Sequence, residues 1–152
     1  MAIEISQHIK DIINRSDSIK VLATVSNDGI PHVVFKGSLS VTEDGLIEYN
    51  EVIESSQTNK NLVSSIWFNK TVAVNVLFDK ESFQIKGKVD RAIIAGHEFE
   101  KRYIELSEKR DADLSTIWRI IPEEIREESF KTRLAEETAA HPILQHLDRL
   151  TK

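Results

Sequence analysis

The stretch that decides the fold is residues 46–78, which read LIEYNEVIESSQTNK and then NLVSSIWFNKTVAVNVLF. Strand-forming apolar runs predict strands at Leu46–Asn50 and at Thr71–Phe78. Between these runs, apolar side chains at helical spacing predict a helix over about residues 57–67. The segment therefore predicts a strand, a short polar loop, a helix and a second strand.

The start of this helix is a candidate anion site. Thr58, Asn59 and Lys60 place a hydroxyl, an amide and an ammonium near the helix N-terminus. The free backbone N–H groups and the dipole of a helix favour an anion such as phosphate at that end. The residues alone leave two interpretations open, which are a phosphate site and a helix cap beside a solvated lysine.

Composition bounds the class of protein. The chain has 152 residues, 40% of them hydrophobic and 30% charged, which predicts one soluble globular domain over residues 1–152. The formal net charge of −5 argues against bulk attraction to nucleic acid or to an anionic membrane. No apolar run approaches the roughly 20 residues that cross a bilayer, and the N-terminus lacks a signal-peptide core, so we expect a cytoplasmic protein.

The remaining pattern predicts a mainly β fold. Asn27-Asp28-Gly29 predicts a hairpin between strands 20–25 and 30–36, and a second hairpin is predicted between strands 71–78 and 83–95. Ser38–Val41 either continues the strand before Gly37 or forms a strand of its own ahead of Leu46–Asn50. A last strand is predicted at Thr116–Ile121, where Pro122 closes or bends it. An N-terminal helix within 1–16, a helix at 97–109 and a helical tail at 131–152 that Pro142 splits lie outside the strands. The prediction is a six-stranded antiparallel split β-barrel with peripheral helices, because a barrel leaves few exposed strand edges.

The order of these elements resembles the pyridoxamine 5′-phosphate oxidase-like family of FMN-binding split barrels. The resemblance covers roughly residues 19–128. It lies in the succession VLATVSNDGIPHVV, TEDGLIEYN, SSQTNKNL, TVAVNVLF, FQIKGKVDRA, HEFEKRY and WRIIPEEI. It implies FMN as the cofactor and a homodimer with the cofactor sites at the subunit interface.

The resemblance also implies site residues. The strand after the first hairpin lies along the flavin in such proteins, which assigns Val34, Phe35 and Lys36 to that strand. The loop and helix after the TEDG turn hold the phosphate, which assigns Thr58, Asn59 and Lys60 to it. A positive charge near the flavin stabilises its reduced anionic form, and Lys36, Lys86 and Lys88 compete for that role. Trp118 is either a core or interface anchor or an edge of the cofactor pocket.

The chain departs from the true oxidases of this family. Their flavin-contacting strand carries an arginine, whereas VVFKGSLSV carries Lys36 and no arginine. Their C-terminal segment supplies a Trp and an arginine-rich patch, whereas this chain continues as the acidic PEEIREESF. The resemblance therefore implies a small flavin-binding relative rather than a pyridoxamine phosphate oxidase.

Other chemistries lack their motifs. There is no cysteine, and none of the five histidines forms an HxH or i,i+4 pair, so no metal site is predicted. GxSxG, GxGxxG and Walker motifs are also missing, which argues against a Ser hydrolase, a Rossmann domain and a P-loop. No residue is assigned as catalytic.

Three functions stay open. The first is an FMN-dependent oxidoreductase with a small-molecule substrate or redox partner. The second is a flavin-binding electron carrier, store or sensor without turnover. The third is a split-barrel interaction protein whose pocket is empty or holds another cofactor, such as haem or a deazaflavin.

Overall fold

The computed structural model describes residues 3–143 and 146–150. Its sheet and helices follow the predicted order along the chain. The elements are α1 (Gln7–Asn14), β1 (Ile19–Val25), β2 (Pro31–Phe35), β3 (Ser40–Val41), β4 (Ile47–Glu51), α2 (Gln57–Phe68), β5 (Thr71–Phe78), β6 (Glu81–Ile93), α3 (His97–Arg110), β7 (Thr116–Glu127), α4 (Phe130–Ala140) and a 3₁₀ turn at Leu147–Leu150. Within the described ranges, no helix is long and apolar enough to cross a membrane. The prediction of one domain over 1–152, with its tail to Lys152, reaches beyond the described residues and stays a prediction.

All strands belong to one antiparallel sheet in the order β2-β1-β5-β6-β7-β4-β3. The sheet curls into a half-barrel, so the mainly β prediction of split-barrel type holds at this level. The predicted number of six strands is wrong, because Ser40 and Val41 form a separate strand paired with β4. Between the β2–β3 connection and β4, the Ser38 hydroxyl accepts from the Asn50 backbone N–H and donates to the Asn50 carbonyl.

The last long strand continues further than the sequence predicts. β7 runs to Glu127, so the predicted end at Ile121 is wrong, and Pro122 lies within the strand instead of closing it. Pro122 is tolerated because the β6–β7 register shifts between Lys86 and Gly87, opposite the proline, and its carbonyl accepts a hydrogen bond from the Ile3 amide. The same close approach requires glycine, since a Cβ on Gly87 would lie 2.2 Å from the Ile121 carbonyl oxygen.

The core fills the inside of the curl and is capped by α1. Leu22, Ile47, Val74 and Ile85 contribute from the strands, and Leu62 contributes from α2. Their alternation along each strand is the reason the chain forms this sheet, since successive side chains point to opposite faces.

A buried ammonium fixes the N-terminal helix to the sheet. Lys20 on β1 donates from Nζ to the carbonyls of Ile13, Arg15 and Leu39 at 2.8, 2.9 and 3.2 Å. The bonds to Ile13 and Arg15 hold the C-terminal end of α1, and the bond to Leu39 holds the connection that follows β2. Burial lowers the pKa of Lys20. This lysine therefore joins the C-terminal end of α1 to the connection between β2 and β3.

Helix α3 is held against the sheet mainly by charged side chains. The buried Glu48 carboxylate accepts from Arg102 at 2.6 Å and from Arg119 at 3.0 Å. Arg119 also pairs with Glu98, and Arg102 donates to the Asn50 side chain at 2.8 Å. Since no α3 residue is fully buried, this ion network and a few half-buried apolar contacts set the position of the helix.

Candidate functional site

Two cavities lie between strand β2 and the connection from β4 into α2, and we call the space between this strand and this connection the groove. One side is the free edge of β2, which pairs only with β1. The other side is residues 51–61, which lead into and begin α2. The cavity at one end of the groove is lined by Lys36 and Glu51. The cavity at the other end is lined by His32 and Gln57.

The free edge of β2 offers unpaired backbone groups to this groove. The Lys36 amide donates to the Lys20 carbonyl, and the Ser26 amide donates to the Ile30 carbonyl. These bonds show which opposing residues of the β1–β2 hairpin are hydrogen-bonded pairs. Because antiparallel partners alternate between bonded and non-bonded pairs, the N–H and C=O groups of Val33 and Phe35 point away from β1. An edge strand with free donors and acceptors is a ready place for a planar ligand or another chain to pair.

The cavity at one end has a volume of about 200 Å³ and contains a buried charged pair. The Glu51 side chain is 2% exposed and lies 4.0 Å from the Lys36 ammonium. Its carboxylate also accepts a hydrogen bond from the Ile53 amide at 3.2 Å and from the Ser56 hydroxyl. The ammonium lies 5.1 Å from the centre of the Tyr49 ring, within cation–π range. Lys36 is therefore held in place by a carboxylate and an aromatic face.

Tyr49 is the least ordinary group at this end. It is 1% exposed, and its hydroxyl makes no hydrogen bond within the part of the chain that the structure describes. Burial raises the pKa of Tyr49 well above its usual range, and the nearby Glu51 carboxylate raises it further. The phenol therefore stays protonated and remains a hydrogen-bond donor at neutral pH.

The cavity at the other end has a volume of about 320 Å³ and is more polar. His32 of β2 and Gln57 and Asn61 of α2 line it. The Asn61 amide is already engaged, since it donates to Thr24 at 3.0 Å and accepts from Gln57 at 2.8 Å. The His32 imidazole is half-buried and makes no polar contact with the described residues.

The start of α2 is capped differently from the prediction. The helix begins at Gln57 with Ser56 as its N-cap, and the Ser56 hydroxyl accepts from the Asn59 amide at 3.0 Å. This start agrees with the predicted helix over about residues 57–67. Thr58 is 1% exposed, and its hydroxyl faces the interior without a partner among the described residues. The Thr58 hydroxyl is therefore not presented at the surface.

The structure separates the other two residues of this predicted cluster. The Asn59 side chain donates to the Glu54 carbonyl at 3.0 Å and accepts from the Trp118 indole N–H at 2.9 Å. Lys60 is exposed and has no carboxylate or carbonyl partner in the described ranges. Of the predicted three, only Lys60 presents its side chain to solvent.

The remaining predicted residues are dispersed. Val34 lies on the inner face of β2, and Phe35 lies on the outer face with 76% exposure. Trp118 is buried in the core, where its indole N–H donates to Asn59. Lys86 is exposed on the outer face of β6, which β1 and β5 separate from β2. Lys88 donates to Asn69 and Thr71 instead. Only Lys36 among the three candidate lysines lines the groove.

Glu51 and Tyr49 are functional candidates that the sequence pattern does not single out. Tyr49 lies in the predicted strand Leu46–Asn50, and Glu51 directly follows that strand. In the sequence, both look like ordinary members of an alternating strand. A signal is nevertheless present, because an acidic residue directly before a loop with a serine N-cap can satisfy that loop's donors.

A larger cavity of about 720 Å³ lies elsewhere, between the β5–β6 turn and the start of α4. Leu77 and Phe130 supply its apolar surface. No predicted site residue lines it, and several of its polar groups already pair with one another, since Thr132 donates to Glu127 and the Ser82 amide donates to Ser129. The groove beside β2 is therefore the better candidate site, despite its smaller cavities.

No family model matches the chain, and no curated protein matches it. Solved structures do match its fold. HupZ from Group A Streptococcus is 22% identical, with a TM-score of 0.68 over 83% of this chain and 95% of HupZ. An FMN-binding protein from Syntrophomonas wolfei is 16% identical, with a TM-score of 0.65 over 80% of this chain and 84% of that one. A proposed pyridoxamine 5′-phosphate oxidase from Lactobacillus delbrueckii is 18% identical, with a TM-score of 0.60 over 81% of this chain and 93% of that one.

Two further structures with this fold are named for other cofactors. One is an F420 reductase, 17% identical with a TM-score of 0.60, and the other is HutZ of Vibrio cholerae, described as a haem storage protein, 14% identical with a TM-score of 0.54. At these identities the likeness shows the fold. The chain has the fold of the pyridoxamine 5′-phosphate oxidase-like split barrels, so the fold implied by the resemblance is confirmed.

Proposed function

We propose that this chain binds FMN non-covalently in the groove beside β2 and acts as an oxidoreductase with a small-molecule substrate or redox partner. The observation that carries the proposal is the free backbone edge of β2 facing the start of α2, with the Lys36–Glu51 pair at one end. Solved structures with this fold include a protein described as FMN-binding. FMN, when bound, supplies hydride or single-electron transfer.

The backbone edge suits the polar side of a flavin ring. That side carries two carbonyl acceptors around one N–H donor. The Val33 carbonyl and the Phe35 amide on the free edge of β2 offer the complementary acceptor and donor. A backbone edge can hold such a ring without a dedicated side chain, which is consistent with the lack of an arginine in this strand.

Lys60 and the first amides of α2 would hold the phosphate. Lys60 supplies an exposed ammonium on the first turn, and Gln57 and Thr58 precede the first intrahelical hydrogen bond, from Lys60 to Ser56. Thr58 would contribute its backbone N–H, since its hydroxyl faces the core. Asn59 would have only an indirect role, because its side chain anchors Trp118.

Lys36 would place positive charge beside the ring. Its ammonium is held by Glu51 and by the Tyr49 face. A fixed cation near the flavin favours the reduced anionic form and so raises the reduction potential. Glu51 moderates this effect, because it neutralises part of the charge at 4.0 Å.

We extend the proposal to a homodimer built on the outer face of β2, β1 and β5. That face is mostly apolar, and Val33 and Phe35 on it are exposed. A contiguous apolar face is a common mark of a subunit interface. Its apolar side chains include Val21, Ala23, Val33, Phe35, Ala73 and Leu77, and Thr71 and Asn75 of β5 are polar residues on the same face. Since Phe35 borders both this face and the groove, a second copy would close the cofactor site.

The absorbance spectrum of the purified protein tests the proposal first. A flavin band, extracted as FMN rather than FAD or riboflavin, supports it. Reconstitution of colourless protein with FMN, followed by protein-dependent quenching of flavin fluorescence, is the second route. Failure of FMN to bind in both measurements would overturn the proposal. Bleaching of bound FMN by NAD(P)H separates an oxidoreductase from a carrier or sensor.

Haem is the second candidate, because His32 lines the groove at the end away from Lys36. A half-buried imidazole without a partner among the described residues is a possible axial ligand. A solved structure with this fold is described as a haem storage protein. Haem titration of wild type and His32→Ala decides this case, since a Soret shift that His32→Ala removes would favour haem over FMN.

A further inference from the structure

We propose that the cavity at the Lys36 end of the groove is a subsite for a small carboxylate anion, with Arg110 as its principal binding group. As a substrate site the cavity rests on the proposed function, because it would place the anion beside the cofactor groove. Anion binding itself does not depend on FMN.

The charges that line the cavity leave one cation uncompensated. Lys36, Glu51 and Arg110 are its charged residues. Glu51 lies 4.0 Å from Lys36 and accepts hydrogen bonds from Ile53 and Ser56, so its negative charge offsets that of Lys36. Arg110 has no carboxylate partner in the part of the chain that the structure describes. The net positive charge of the cavity therefore comes from Arg110, whose planar guanidinium binds carboxylates in a two-point fashion.

Tyr49 adds no negative charge to the cavity. It lines the cavity and is 1% exposed. Burial and the neighbouring Glu51 carboxylate raise the pKa of its phenol, so the side chain stays neutral over the physiological range. Glu51 is therefore the single negative charge that the described residues contribute to the cavity wall.

Size and apolar lining narrow the ligand class. A volume of about 200 Å³ is too small for a three-ring cofactor. It suits an anion of a few heavy atoms. Phe35, Ile53 and Leu106 add apolar surface to the wall. This combination fits a short-chain carboxylate better than inorganic phosphate, which has no apolar part.

The test compares propionate with propionamide, which has nearly the same shape but no charge. Binding to the full chain is followed by NMR chemical-shift titration, with and without FMN. We expect propionate to bind at millimolar concentration and propionamide at least about 10-fold more weakly, because the neutral amide forgoes the charge-assisted bonds. Equal affinity for the two compounds, or no propionate binding, would overturn the subsite.

Substitutions assign the binding group. Arg110→Gln should weaken propionate binding about 10-fold or more, and Arg110→Lys should recover part of it. Lys109→Gln is the matched control, since Lys109 is the preceding exposed residue of the same helix and does not line the cavity. An unchanged dissociation constant for Arg110→Gln, or an equal loss for Lys109→Gln, would refute the assignment.

The measurements separate this inference from the proposed function. Arg110→Gln should leave the FMN dissociation constant unchanged, because Arg110 lies outside the groups that would hold FMN. Propionate binding that depends on Arg110 in a chain that binds no FMN would keep the anion subsite and reject the flavoprotein. FMN binding without propionate binding would keep the flavoprotein and reject the anion subsite.

Discussion

The Trp118 indole N–H donates a 2.9 Å hydrogen bond to the side-chain oxygen of Asn59, and both groups are buried. This bond joins the first turn of α2 to the centre of β7. It explains why the side chain of Asn59, which the resemblance assigns to the phosphate site, lies in the interior beside Trp118. Their side chains position the helix whose first turn we propose as the phosphate site.

Replacement of Asn59 by alanine should lower stability. It leaves the buried Trp118 N–H and the Glu54 carbonyl without their partners, at a cost of about 1–3 kcal/mol. Urea unfolding followed by Trp fluorescence measures the change. Gln57→Ala, on the same turn, removes only a bond to Asn61 and is the matched control. A loss no greater than that of the control would show that the buried bond contributes little.

Gly87→Ala should destabilise the fold by about 1–3 kcal/mol or more. The new Cβ would lie 2.2 Å from the Ile121 carbonyl oxygen, so the β6–β7 ladder must shift. Thermal unfolding of the two alanine variants Gly87→Ala and Gly37→Ala is the comparison, because a Cβ at Gly37 meets nothing within 4 Å. Equal melting temperatures would mean that the β6–β7 ladder accommodates the new methyl group without a loss of stability.

Alkaline pH should destabilise the protein through Tyr49. A phenol whose pKa is raised by folding contributes stability that is fully present below the unfolded pKa of about 10, and this is lost as the pH rises towards the folded value. The free energy of unfolding should therefore fall above about pH 10, by at most about 1.4 kcal/mol per pH unit from this group.

Unfolding of Tyr49→Phe against pH checks this prediction. The variant should match wild type near pH 7, since the hydroxyl has no partner to lose, and should fall less steeply above pH 10. Tyr103→Phe is the comparison, because the exposed Tyr103 has its pKa raised by its hydrogen bond to Asp113. An unchanged alkaline slope in Tyr49→Phe would contradict the burial argument.

Lys60→Ala should weaken FMN binding about 10- to 150-fold. It removes a charge-assisted bond worth about 1.5–3 kcal/mol to the phosphate. Riboflavin, which lacks the phosphate, should bind wild type poorly and be nearly indifferent to the change. Lys80→Ala, at the distant β5–β6 turn, controls for the loss of one positive charge. The same FMN dissociation constant in Lys60→Ala and wild type would leave this helix start as a cap only.

Phe35→Ser should shift the protein from dimer to monomer. Phe35 is 76% exposed within one chain, so the change removes little from the core of the subunit. Light scattering at micromolar concentration reports the mass, and circular dichroism checks that the fold persists. Trp67→Ser is the control, since Trp67 is 79% exposed but lies on α2 rather than on the sheet face. A wild type that is monomeric at that concentration would contradict the proposed interface.

The sequence alone determined the order of elements, because alternation and turn residues act over short distances. Asn27-Asp28-Gly29 produces the first hairpin, and the helical spacing before Thr71 produces α2. The sequence did not determine where β7 ends. Pro122 stops a strand when its missing N–H is needed, and only the register with Gly87 shows that it is not.

Tertiary structure decided which side chains of a predicted cluster can meet a ligand. Thr58, Asn59 and Lys60 are adjacent in sequence, but successive helical residues point about 100° apart, so two of them face the core and one faces solvent. The Lys36–Glu51 pair and Tyr49 come together only because the curled sheet brings β2 beside the end of β4. Contacts between residues distant in the chain depend on the packing of the whole sheet, which no local pattern encodes.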